Sequence, residues 1–262
     1  MEINKPKKRI NWTREQLLIA LNVYFKISYS SITGSNPNIR KIADLIGRTP
    51  DAVALKMCNF GSFDPVQQAR GIKGLTNSGK LDKIVYEEFT NNWDDMLFES
   101  EQILTAKELI TIEDKYAPIL IDLKDKKGEV KVREVKTRVN QDLFRKMILS
   151  IYSNKCAITG INISELLVAG HILPWANNEK ERLNPENGIC LSNLYDRAFE
   201  KGFIGIDYDY QLLISPELKK KSQNPYFENF FGKFENQRIN LPDRFLPNKD
   251  FLDFHLNEVF KK

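Results

Sequence analysis

Apolar residues along the chain follow a helical rhythm in its first half and a shorter strand-like rhythm around residue 170. Over "WTREQLLIALNVYF", Leu17, Leu18, Leu21, Val23, Tyr24 and Phe25 recur mostly at helical intervals, with Thr13 placed to cap the helix and Glu15 and Gln16 in its first turn. "NPNIRKIADLIGRTPDAVALKMCNF" predicts two short helices, Ile39 to Ile46 and Pro50 to Asn59, broken at Gly47 and restarted by Thr49 as cap. Helix, tight turn, helix is a helix-turn-helix outline. "FGSFDPVQQARGIKGLTNSGK" is glycine-rich and irregular, and "LDKIVYEEFTNNWDDM" returns to a helix that closes a first domain.

Residues 99–136 carry a dense mixture of charges and predict a connector, with a short helix and then a weak strand pattern at Val130, Val132 and Val135. The next helix, in "NQDLFRKMILSIYSNKCAITG", offers Leu143, Phe144, Met147, Ile148 and Ile151 for burial. After it come a short apolar strand "LLVAGHI", a polar loop, a second strand "NGICLS", a helix "NLYDRAFEKG" and a further strand "FIGID". The pattern gives an α+β chain in three parts: residues 1–98, mainly helical and helix-turn-helix-like; 99–136, a connector; 137–262, a ββα unit with its surroundings. No internal repeat or low-complexity tract interrupts it.

Composition narrows the functional classes. No apolar run spans a membrane and no apolar secretory core opens the chain, so the expectation is a cytoplasmic protein without a membrane partner. Cys58, Cys156 and Cys190 are odd in number and far apart, which predicts neither a disulfide framework nor a structural zinc site. Net charge is +4, but residues 1–93 hold 14 Lys/Arg against 8 Asp/Glu, a bias that suits a polyanionic partner. The first nine residues form a polar, basic arm.

The ordered landmarks "AGHILPW", "RLNPENGICL" and "DRAFEKGFI" resemble the HNH endonuclease family, specifically its restriction-type branch with "(A/S)HI.PW", "R.(N/D)P.NG..L" and "DR.FD.G.I". The resemblance covers roughly residues 137–207, and "CAITGI" ahead of the first strand fits it too. It implies a ββα-metal nuclease that hydrolyses double-stranded DNA with one Mg²⁺ or Mn²⁺ per site. By it, His171 matches the first histidine, the general base on the attacking water, and Asn187 the middle asparagine that orients it. No histidine lies in the helix; the helical metal-ligand position falls on Asp196, a hard oxygen donor, with Tyr195 beside it as a further catalytic candidate. Gly170 stands where many members have an aspartate ligand, which implies weak metal affinity without DNA.

Arg145, Arg182, Arg197 and Lys201 lie near this site and have the chemistry to grip phosphate. Trp175 is expected to anchor the loop by packing, and His255 to be a structural residue of an apolar C-terminal helix. The N-terminal segment resembles the helix-turn-helix or Myb-like modules that precede restriction-type HNH domains, and so nominates Arg48, Thr49, Lys56 and Asn59 as DNA contacts. The implied function is a type II-like restriction endonuclease, with dependence on base modification left open and a homodimer compatible with cutting both strands. Two alternatives stand beside it: a DNA-binding regulator that has lost catalysis, and a nicking or structure-specific repair nuclease.

Overall fold

The protein is described here by a computed structural model covering residues 11–72, 79–123, 127–175 and 178–262. The basic arm, residues 73–78 of the glycine-rich stretch and residues 176–177 of the loop after His171 lie outside the described residues.

Thr13 starts the first helix by a reciprocal cap: its Oγ1 accepts from Gln16 N (3.2 Å), and Gln16 Oε1 accepts from Thr13 N (3.2 Å). Helix α1 (Arg14–Lys26) is buried without interruption from Leu17 to Phe25. Such a helix has to be surrounded. Its neighbours are α2 (Pro37–Leu45), α3 (Pro50–Gly61), α5 (Lys80–Asn91), α6 (Trp93–Lys107) and α8 (Gly128–Ile151), while short α4 (Pro65–Ala69) and α7 (Ile112–Lys115) fill the connections. Asn36 and Thr49 cap α2 and α3, each followed by Pro at the first helical position, and Gly47 turns the chain between them with φ of 66°. The helix expected over residues 81–96 is two, because Asn92 ends α5 and caps α6.

The stretch expected to hold a weak strand is instead the first half of α8, a single helix of 24 residues. Val135 and Val139 are buried one turn apart, whereas Val130 and Val132 are exposed, so the apolar period that counts is helical. Helices α6 and α8 run through positions 98/99 and 136/137.

Beyond α8 the chain forms an antiparallel pair, β1 (Leu167–His171) and β2 (Gly188–Ser192), with His171 opposite Gly188 and Gly170 opposite Ile189. Helix α9 (Asn193–Glu200) follows β2 directly. A second antiparallel pair, β3 (Ile204–Ile206) and β4 (Leu212–Ile214), leads to α10 (Pro216–Lys219), α11 (Pro225–Phe230) and α12 (Lys249–Glu258). The protein is therefore α+β: a mainly helical N-terminal region and a C-terminal ββα unit. Among the described residues, no helix is long and apolar enough to cross a membrane.

The two regions share one interior. Helix α8 packs on α1 and α6 with one part of its surface and under β1 and β2 with another. Phe245, from the segment before α12, enters the aromatic cluster of Phe25, Phe89 and Trp93, with its ring 5.8 Å from those of Phe25 and Trp93. Beside it Arg244, at 0% exposure, donates to the carbonyls of Tyr24 (2.8 Å) and Ile27 (2.6 Å) at the end of α1, and its Nε to Asp243 Oδ1 (3.1 Å). Those carbonyls have no further helical turn to bond, so the guanidinium satisfies them and is itself satisfied.

Removing that guanidinium strands polar groups in the core. Arg244→Leu is expected to lower the urea unfolding free energy by about 3–5 kcal/mol, and Arg244→Lys to recover only part of it, because one ammonium does not reproduce the fork.

Candidate active site

Position 171 ends β1, and three contacts fix its imidazole. Phe144 of α8 stacks under it, ring centroids 4.6 Å apart and 10° from parallel. Trp175 meets it edge-on at 5.4 Å, and Nε2 lies 2.8 Å from the carbonyl oxygen of Arg182. A carbonyl only accepts, so Nε2 carries the proton and Nδ1 keeps a bare lone pair. No described residue bonds Nδ1. Burial lowers the pKa of His171, opposed in part by the Arg182 carbonyl, which keeps the ring neutral near pH 7.

The carbonyl that sets this tautomer belongs to the loop between β1 and β2, which Asn187 closes. Its Oδ1 accepts from Leu173 N (2.7 Å) and its Nδ2 donates to Glu181 O (3.0 Å), at 1% exposure. One side chain thus holds the loop's departure and its return. The following Gly188 is required by space, since a Cβ there would collide with Ile148 and Phe144 of α8.

Helix α9 has a polar face with Asp196 and Glu200 one turn apart, and both line a cavity of about 320 Å³ together with His171, Trp175 and His255. The Asp196 carboxylate has no hydrogen bond or ion pair among the described residues, and burial, reinforced by Glu200, raises its pKa. It lies directly over Gly170: a Cβ at that position would overlap Asp196 Oδ1. The helix therefore supplies a carboxylate where the strand cannot. Among the described residues, no group of three or more His, Cys, Asp or Glu side chains is arranged to hold a metal ion. The donor set fits a hard divalent cation that takes one carboxylate from the protein and fills its shell with water and phosphate oxygens.

This is a neutral base and an unpartnered carboxylate at the mouth of a ββα unit. Residues 156–207 match the HNH endonuclease family. The HNH match covers β1, β2, α9 and β3, and suggests a nuclease, a hydrolase acting on DNA, for this part of the chain. No curated protein matches the chain.

The HNH domain does not gather every residue singled out in its sequence. Tyr195 is 3% exposed and turned to the other side of α9, where its hydroxyl donates to Phe230 O and burial raises its pKa to about 12. It lines a different cavity from His171, so its place as a catalytic candidate is corrected to a packing role. Arg145 donates to the carbonyls of Leu167 (2.6 Å) and Ser164 (3.0 Å) and anchors the start of β1. Arg182 lies over Trp175 at 5.0 Å and donates to its carbonyl (2.6 Å), while Arg197 and Lys201 are exposed beside Glu200, at 2.6 and 3.4 Å.

In the N-terminal region Thr49 is exposed but occupied as a cap, with Ala52 N bonded to its Oγ1 (3.2 Å). Arg48 packs over Trp12 and donates to Asn11 O (2.6 Å) and Gln16 Oε1 (2.8 Å). Lys56 is paired with buried Asp82 at 2.7 Å, and Asn59 is buried at 6% exposure. Lys56 and Asn59 thus face the core, where the sequence placed them on a DNA-facing surface.

Three participants carried little or no signal in the sequence: Phe144 under the imidazole, Glu200 on the polar face of α9, and His255. The last, on α12, is 2% exposed and stacked on Phe199 with centroids 3.7 Å apart. Its Nε2 donates to Phe199 O (2.9 Å), so the helix carrying Asp196 is braced from the C-terminal segment.

Burial lowers the His255 pKa to about 4. The unfolded chain, with an ordinary histidine near 6.5, takes up the proton first as pH falls. Burial of the neutral ring should therefore cost nothing extra above pH 6.5 and remove up to about 3 kcal/mol of stability between pH 6.5 and 4. Urea midpoints across that window should fall less steeply for His255→Phe than for the parent protein.

Proposed function

We propose that the protein is a divalent-cation-dependent DNA endonuclease in which His171 is the general base. The observation that carries this reading is the open Nδ1 of a neutral, immobilised imidazole sharing a cavity with the unpartnered Asp196 carboxylate. Nδ1 takes a proton from water as the oxygen attacks phosphorus, and the bond to the 3′ oxygen breaks, leaving a 5′-phosphate and a 3′-oxide that takes a proton from solvent to become the 3′-hydroxyl. Mg²⁺ or Mn²⁺ held by Asp196 would supply positive charge for the extra negative charge of the pentacovalent phosphate and for the leaving oxygen. Asn187 acts through the loop: it keeps the Arg182 carbonyl where it fixes the tautomer of His171. Arg182, Arg197 and Lys201 are the nearby cations for the flanking phosphates.

The setting proposed is restriction of foreign DNA in the cytoplasm, with the unit α2–turn–α3 and its exposed Thr49 toward the duplex and a homodimer supplying a second site for the second strand. A regulator that binds DNA without cutting it would leave the free Nδ1 and the bare carboxylate without a use, and the geometry favours the nuclease.

Plasmid incubated with Mg²⁺, Mn²⁺ or EDTA tests this. Cation-dependent cleavage should drop by about 10²-fold or more in His171→Ala, in line with the usual worth of a positioned general base. Asp196→Asn should raise the cation concentration needed for half-maximal rate, whereas unchanged cation dependence would remove Asp196 from the assignment. Because burial lowers the His171 pKa, the rate at saturating cation should rise with pH through a value below about 6.5 and then level off. An acid limb above that value would contradict the neutral-base assignment.

A further inference from the structure

On the far side of Trp175 from His171 lies a second cleft of about 570 Å³, walled by the α5–α6 junction, α8 and the loop after β1. Trp175 lines both recesses, so it separates the cavity of the scissile chemistry from this neighbour. The cleft's volume is in the range of small-ligand sites, about 300–1,000 Å³. A duplex cannot enter it; one nucleotide can.

Its lining has the three chemistries a nucleotide needs. Trp175 and the Arg182 guanidinium that lies over its ring at 5.0 Å together offer a flat surface on which a base can stack. Exposed Asn91 and the unpaired Oδ1 of Asn140 offer amide groups, the kind that pair with base edges, whereas Asn92 is taken as the cap of α6. Asn140 is 1% exposed, with Nδ2 bonded to Asp94 O (2.8 Å) and Asp94 Oδ1 (3.0 Å), and its Oδ1 has no hydrogen-bond partner. Cations stand at the rim. Lys136 is taken by Asp94 and Asp95, and Arg182 by Trp175 O and Glu179, but Arg133 and Lys180 are exposed and have no acidic partner among the described residues.

We propose that this cleft receives one unpaired nucleotide of the strand being cut, its base against the Arg182–Trp175 stack and the amides of Asn91 and Asn140 and its phosphate at Arg133 and Lys180. The assignment rests on the nuclease reading for the strand's path past His171. It implies that the substrate is opened at the site of cleavage, which is easiest where a base is already unpaired.

The test uses the full-length chain carrying His171→Ala with Mg²⁺ at low salt, where backbone contacts support binding without a recognition sequence. Labelled duplexes, one matched and one identical except for a single-nucleotide bulge, are titrated in parallel. The bulged duplex should bind about tenfold more tightly, near the low end of what one base–aromatic stack contributes. Trp175→Ala combined with Arg133→Ala, which removes the stacking surface and one phosphate contact, should bring its affinity down to that of the matched duplex while leaving matched binding nearly unchanged. Equal affinity for the two duplexes, a preference that survives the double variant, or no DNA binding at all would each overturn the proposal. Cleavage by the parent protein without any bulge preference would remove the cleft and keep the nuclease. A bulge preference in a protein that cuts nothing with either cation would support the cleft and remove the nuclease.

Discussion

A guanidinium sealed from water is the constraint on which this architecture turns. Arg244 has to be hydrogen-bonded or it has no place in a core, and its partners are the last carbonyls of α1 and the neighbouring Asp243. The first helix of the chain and the segment leading into the last are therefore fixed to one another before any question of catalysis arises. Asp243 extends the link, accepting from Tyr29 N (2.7 Å) through its carboxylate and from Gln67 Nε2 (2.6 Å) through its carbonyl. Apolar packing around Phe245 then has a geometry to fill, and α8 runs through the middle of it to reach the underside of the hairpin. The HNH domain is built against the helical region, with one continuous interior.

That interior sets the site by steps, each of them local. Phe144 belongs to α8 and supports the imidazole from below; the Arg182 carbonyl chooses its proton; Asn187 holds the loop that carries the carbonyl. None of these groups touches the place where water would be deprotonated. They restrict one ring to one tautomer and one orientation, which, on the proposed reading of His171 as a base, is the part of the chemistry that a fold can supply in advance.

The sequence was most legible where a signal is local. Thr13, Asn36 and Thr49 announce their helices because a capping side chain acts on the turn that follows it, and the β1–β2–α9 order is readable because its turns and apolar runs are short. The first half of α8 was not, since Val130 and Val132 mimic a strand and the helical period shows only in which valines are buried, Val135 and Val139. Tyr195 shows a second kind of failure. It is adjacent to Asp196, and adjacent residues on a helix lie about 100° apart, so the two were poor candidates for one cavity; the apolar neighbours Ala198 and Phe199 marked the buried side. Lys56 looked like a surface cation until Asp82, on another helix, was placed next to it. His255 was expected to be structural, and nothing in its own helix indicates that it braces α9.

The contact between Gly170 and the Asp196 carboxylate bears on aim as well as on composition. With no side chain at position 170 the carboxylate lies close against the strand, and any Cβ there would meet its Oδ1. The free end of a side chain can swing away from such a contact, so a larger residue at 170 would turn the acid aside without removing it. Glycine on the strand thus sets the direction in which the helix presents its oxygen atoms.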